Sequence, residues 1–113
     1  VGLPDNTGDD DYLATLEIAL ERALFLANAD IAIYVSGADP FVEDTLGKLS
    51  LTKNGLAERD RMVFGMCHAR HIPVAVSMGG GYAKDIKDIV DIHYQTIQIA
   101  HEFSQIWQSQ PVL

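Results

Sequence analysis

Hydrophobic and polar positions fall into three helical stretches and two short apolar runs. From Asp9, residues Tyr12, Leu13, Leu16, Leu20, Ala23, Leu24 and Ala27 recur at three- and four-residue spacings, which is one face of an amphipathic helix. Asp9, Asp10 and Asp11 suit its N-terminus, where carboxylates meet free amides and the positive end of the dipole, and Asn28 suits its stop. Residues 31–36 (IAIYVS) form a β-branched run that reads as a parallel-sheet strand buried on both faces. Residues 37–52 have no sustained period and read as a long loop, of a kind that is usually functional inside a compact domain. A second helix is predicted over residues 53–70, with Thr52 as its cap and Leu56, Met62, Val63, Met66 and Cys67 as its apolar stripe. Residues 72–78 give a second strand that begins near Pro73, a position where proline is tolerated. Gly79, Gly80, Gly81 and Tyr82 follow at once. A third helix runs from about Lys84 to Trp107, apolar around most of its circumference and therefore expected to be well buried.

Strand, helix and strand in this order make a parallel βαβ unit and an α/β fold. Two strands are too few to stand alone, because both sheet edges stay open and much apolar surface lacks cover. The 113 residues open on Val1 rather than Met. Pattern and length together lead to the expectation that residues 1–113 are the C-terminal portion of a single larger α/β domain. An apolar content of 48% with 21% charged residues is that of a folded protein rather than a disordered one. No apolar run is long enough to span a membrane and no signal peptide is visible, so a soluble, cytoplasmic chain is expected. Sixteen acidic against eight basic residues, a net charge of −8, argue against a nucleic-acid partner. The single Cys67 excludes an intramolecular disulfide and a cysteine-rich zinc site.

In open α/β sheets, ligands bind beyond the carboxyl ends of the strands. Two segments take that place here, Ser36-Gly37-Ala38-Asp39-Pro40 and Met78-Gly79-Gly80-Gly81-Tyr82. Parallel strands put both on one edge of the sheet. Asp39 offers a carboxylate suited to a metal or to proton transfer, and Tyr82 a hydroxyl that can donate to an oxyanion. From position alone, Asp39 also suits a turn or cap and Tyr82 suits packing.

The stretch YVSGADPFVEDTLGKLSLTKNGLAERD, followed by IPVAVSMGGGYAKDI, resembles the histone deacetylase superfamily of zinc-dependent amidohydrolases. The resemblance runs in order from about Leu3 through Phe103 and is nearest the class IV branch and its bacterial relatives. It implies a parallel βαβ portion of an arginase/deacetylase-like three-layer fold. It also implies that Asp39 is the third zinc ligand and that Tyr82 stabilises the tetrahedral intermediate. Leu46 becomes a wall of the acyl-lysine tunnel, Gly80 and Gly81 its floor, and Asp44 a structural residue of the same loop. Glu43 departs from the family, where glycine is commoner. The His-His pair for proton transfer and the Asp-x-His segment that supplies two more zinc ligands lie upstream in the family, and no His-His pair occurs here. The resemblance therefore implies a fragment with one zinc ligand that is inactive by itself. The intact enzyme would release acetyl or other acyl groups from acylated lysine or similar amines.

Asp91-Ile92-His93 repeats the Asp-x-His spacing inside the third helix, where residues two apart point roughly 200° apart and cannot share an ion. A solvated Asp91 and a partly buried His93 are expected instead. His68 and His71 lie near the end of the second helix and are read as complements to its dipole rather than a metal pair. His101 is a lone helical histidine. Cys67, Met62 and Met66 are assigned to the core. Three successive aspartates at Asp9 are a helix start before they are a calcium site. Gly79, Gly80 and Gly81 lack the Lys-Ser/Thr of a P-loop. The rival reading is a non-catalytic α/β module that binds or oligomerises. In either reading the open sheet edges and apolar faces predict self-association into a homo-oligomer.

Overall fold

A computed structural model describes residues 1–109; residues 110–113 of the expected 1–113 unit lie outside it. The order is α1 (Asp9–Ala27), β1 (Ala32–Ser36), α2 (Lys53–Ala69), β2 (Val74–Met78) and α3 (Ile86–Ser109). β1 and β2 pair in parallel, with Ala32 opposite Val74 and Ser36 opposite Met78. This is the α/β architecture with the βαβ unit expected from the sequence, and it fits a piece of an arginase/deacetylase-like fold.

Local chemistry explains the element ends. Asn28 closes α1 in the left-handed conformation, φ 45°, which asparagine tolerates better than most residues. The Thr52 hydroxyl accepts the Gly55 amide (2.9 Å) and caps α2 as predicted. Asp9 does not cap its own helix. Its carboxylate accepts the Thr52 amide (2.8 Å) and the Thr52 hydroxyl (2.5 Å), which fastens the start of α1 to the start of α2. A side chain at Gly55 would collide with that carboxylate, its Cβ 2.0 Å from Asp9 Oδ1.

One face of the sheet is covered and the other is not. Tyr34, Val74 and Val76 pack against Ala57 and Phe64 of α2 and against Ile99, Ala100 and Phe103 of α3. Ile33 and Val35 point the opposite way and are 76% and 63% exposed. The strands are therefore not buried on both faces within these residues, because α2 and α3 lie on the same side. A second correction concerns α3, whose fully buried residues are Ile92, Thr96 and Ile99. Ile86, Val90, Tyr94 and Ile97 are exposed, so α3 is covered along one stripe although it is apolar nearly all round. α1 lies against α2 through half-buried residues and has no fully buried one.

The irregular segment 37–52 is no surface excursion. Ala38, Phe41 and Leu51 join Leu56 and Ile92 in a second core cluster, and a backbone bridge links Phe41 to Leu51. The loop that carries Asp39 is thus anchored at both ends in packed apolar residues.

Beneath it lies a buried polar network. Asp60, 0% exposed, accepts hydrogen bonds from the Tyr34 hydroxyl (2.5 Å), the Thr96 hydroxyl (2.5 Å) and the Arg59 guanidinium (3.1 Å). Arg59 also donates to Ser36 Oγ (2.8 Å) and, through Nη1, to the Gly37 carbonyl (2.6 Å). β1, α2 and α3 therefore meet on one ion pair at the carboxyl end of β1. Burial pushes the Tyr34 hydroxyl above the ordinary tyrosine range, with the neighbouring Arg59 charge opposing the shift in part.

Candidate active site

The two strands stay together beyond their ends. The Gly79 amide donates to the Ser36 carbonyl (2.7 Å), and the Ala38 amide to the Gly80 carbonyl (2.9 Å). These bonds close a seam between the two loops that leaves no room for a side chain at Gly79 or Gly81. A Cβ on Gly79 would lie 2.8 Å from the Gly37 Cα, and one on Gly81 would lie 2.9 Å from the Ala38 Cβ. The seam brings Asp39 and Tyr82 to the same place. The position a Gly80 Cβ would take is 3.2 Å from Asp39 Oδ1 and 3.7 Å from Tyr82 Cε2, so carboxylate and ring flank one glycine. Both side chains are exposed, with Tyr82 at 56%.

A second loop braces the first. Asp44 Oδ1 accepts the amides of Leu46 (2.9 Å) and Gly47 (2.7 Å), while Oδ2 accepts the Tyr82 amide (2.7 Å). The Tyr82 carbonyl in turn accepts from Thr45, through its amide (3.1 Å) and its hydroxyl (2.7 Å). Gly47 packs on the backbone of the other candidate residue, since a Cβ there would sit 2.2 Å from the Asp39 carbonyl oxygen. Glu43 is exposed and has no positive φ, so the loop path does not need glycine at that position. Leu46 is 67% exposed.

Partial burial raises the Asp44 carboxyl, but the amides of Tyr82, Gly47 and Leu46 outweigh it and hold the group below the usual aspartate range. The folded value is the depressed one, so this stabilisation is complete above the unfolded value of about 3.9 and is lost as pH falls through the folded value. Protection of the Tyr82 amide against hydrogen exchange is therefore expected to collapse in acid. Asp44→Asn should remove that pH dependence. Protection that does not fall as the carboxyl is titrated in acid, or that falls equally in Asp44→Asn, would contradict this linkage.

The remaining candidates do not join the site. Asp91 pairs with Lys53 (3.0 Å). His93 is half-buried, and its Nδ1 has no hydrogen-bond partner among the described residues. His68 stacks edge-on against Trp107, ring centroids 5.4 Å apart. His71 is not on α2 but beyond its end, exposed and at φ 56°, so the two histidines do not form a helical pair. His101 is exposed and Cys67 is buried. Among the described residues no three His, Cys, Asp or Glu side chains converge as a metal site, and no helix is long and apolar enough to cross a membrane. Arg59, Asp60, Thr45 and Gly47 went unassigned in the sequence. For Asp60 a signal existed, because it sits four residues after Leu56 and three before Val63, on the apolar stripe itself.

The histone deacetylase domain model matches residues 1–97. The chain belongs to the histone deacetylase family. An uncharacterized protein of Picosynechococcus sp. is 45% identical over 93 residues, which are 82% of this chain and 31% of that protein. Histone deacetylase 2 of Arabidopsis thaliana is 32% identical over 90 residues, which are 80% of this chain and 23% of that protein. This histone deacetylase family chain thus spans about a quarter to a third of the length of the curated relatives it matches. The uncovered sheet face accords with that share.

Proposed function

We propose that this chain forms one wall of the active site of a zinc-dependent deacetylase that acts on an acyl-lysine or another acylated amine. One juxtaposition carries the reading: Asp39 and Tyr82, from two different strand ends, flank Gly80 on one edge of the sheet. An exposed carboxylate there fits a metal-ligand role, and the other ligands come from outside these residues. The chemistry that zinc supplies when bound is polarisation of the acyl carbonyl and a more acidic water. Asp39 would hold the ion. Tyr82 would donate its hydroxyl hydrogen bond to the carbonyl oxygen as that oxygen gains negative charge. Leu46, Gly80 and Gly81 would line the acyl path. Water adds to the carbonyl carbon, the carbon–nitrogen bond breaks, and the products are a carboxylate and the free amine. The proton acceptor for that water lies outside this chain, so the isolated 113 residues bind zinc weakly and do not turn over. The cytoplasm is the proposed compartment.

The test uses a complete domain that carries this chain. Asp39→Ala should lose zinc and activity together. Tyr82→Phe should retain zinc and lose about 2.7–4 kcal/mol of transition-state stabilisation, the loss typical of an oxyanion donor. Wild-type turnover by Tyr82→Phe, or turnover by the isolated chain, would overturn the assignment.

A second reading rests on the bare sheet face. Ile33 and Val35 lie side by side with the exposed Ala75 and Ser77, and apolar surface of that kind draws a partner. We propose that the isolated chain self-associates through it. Sedimentation should show oligomers at tens of micromolar, and a monomer there would remove this reading.

A further inference from the structure

We propose that Thr45, acting with Asp44, is a positioning residue for the Tyr82 hydroxyl, an inference that rests on the oxyanion role given to Tyr82 above. Tyr82 is poorly held by packing. Its side chain is more than half exposed, and it follows three glycines that contribute no side-chain contacts of their own. What fixes it is its backbone. Asp44 takes its N–H at 2.7 Å, and the Thr45 amide and hydroxyl both donate to its carbonyl, at 3.1 and 2.7 Å. Consecutive residues of one loop thus grip both polar groups of a single residue in the other, and an isolated antiparallel bridge from Asp44 to Ala83 continues the grip. The Asp44 carboxylate is itself held from behind by the Leu46 and Gly47 amides, so the clamp is anchored rather than hanging.

A donor aimed at developing charge works only if it is in place before the charge appears, and a misplacement of about 1 Å can cost about 100-fold. Asp44 also shapes its own loop, so its removal disturbs more than Tyr82. The Thr45 hydroxyl isolates the contact, because it is exposed and donates to the Tyr82 carbonyl alone.

The experiment compares Thr45→Val and Thr45→Ser in a complete domain carrying this chain, each in the wild-type and the Tyr82→Phe background. Thr45→Val is expected to lower kcat about tenfold, the effect of one hydrogen bond on positioning, with KM and zinc content unchanged. Thr45→Ser keeps the hydroxyl and should restore the rate. In the Tyr82→Phe background Thr45→Val should cost nothing further, because the group it positions is already gone. Hydrogen exchange reads the clamp without turnover. Thr45→Val should speed exchange of the Tyr82 amide and leave the β1–β2 amides unchanged. An equal loss of rate in both backgrounds, or an unaltered Tyr82 amide, overturns the proposal. If Tyr82→Phe itself turns over like wild type, the oxyanion reading falls instead, and exchange alone decides whether the clamp exists.

Discussion

Asp60→Ala is expected to lower the stability of the fold by about 3–5 kcal/mol, the usual result of removing one partner of a buried ion pair. Asp60 is 0% exposed and Arg59 is 4% exposed. Without the carboxylate, the Arg59 charge stays buried, and the hydroxyls of Tyr34 and Thr96 lose the acceptor they share. The damage reaches the site, because Arg59 also holds the Gly37 carbonyl two residues before Asp39. Replacing both charged residues, as Arg59→Met with Asp60→Leu, should cost less than Asp60→Ala, since no unpaired charge is left behind. Urea denaturation of the three proteins measures this. A loss below about 1 kcal/mol for Asp60→Ala would mean that water or rearrangement satisfies the network.

Gly47→Ala should damage the site more than the fold. The added methyl would fall 2.2 Å from the Asp39 carbonyl oxygen, and that neighbour is backbone, which cannot swing aside. Either the Asp39 peptide shifts or the loop braced by Asp44 opens. A shift of about 1 Å at a reacting group can cost about 100-fold in rate, whereas overpacking typically costs about 1–3 kcal/mol of stability. The expected result in a complete domain is weaker zinc binding and turnover reduced about 100-fold, with secondary structure intact. Gly2→Ala is the control, since no atom lies within 4 Å of its added methyl. Wild-type zinc affinity in Gly47→Ala would show that the contact does not fix Asp39.

The placement of Asp39 beside Tyr82 was legible in the sequence for a physical reason. Two apolar runs joined through a helix must be parallel strands, and the loops after parallel strands share one edge. Thr52 and Asn28 were legible too, because capping is decided within a few residues. The buried ion pair was not. Apolar periodicity marks a stripe but treats a charge on that stripe as an interruption, and Asp60 is buried only because Tyr34 and Thr96 reach it from elements 26 and 36 residues away. That apolar surface would lack cover was legible, but which sheet face stays bare and how little of α3 is covered were not, for a related reason. Apolar content shows that a surface needs cover, and says nothing of whether the covering segment lies in the same stretch of chain. His71 was lost to a boundary. The helix ends two residues before it, and a left-handed turn sends it outward.

The glycine seam divides the site into a part that tolerates sequence change and a part that does not. Gly79 and Gly81 face atoms within 3 Å of where their side chains would begin, so drift at either position pries the two loops apart. Val42, Glu43 and Leu46 belong to the neighbouring loop and are exposed, so they can be exchanged with little cost to the fold. Sequence change is therefore expected to collect at those exposed positions, while the two glycines that hold Asp39 and Tyr82 side by side stay fixed.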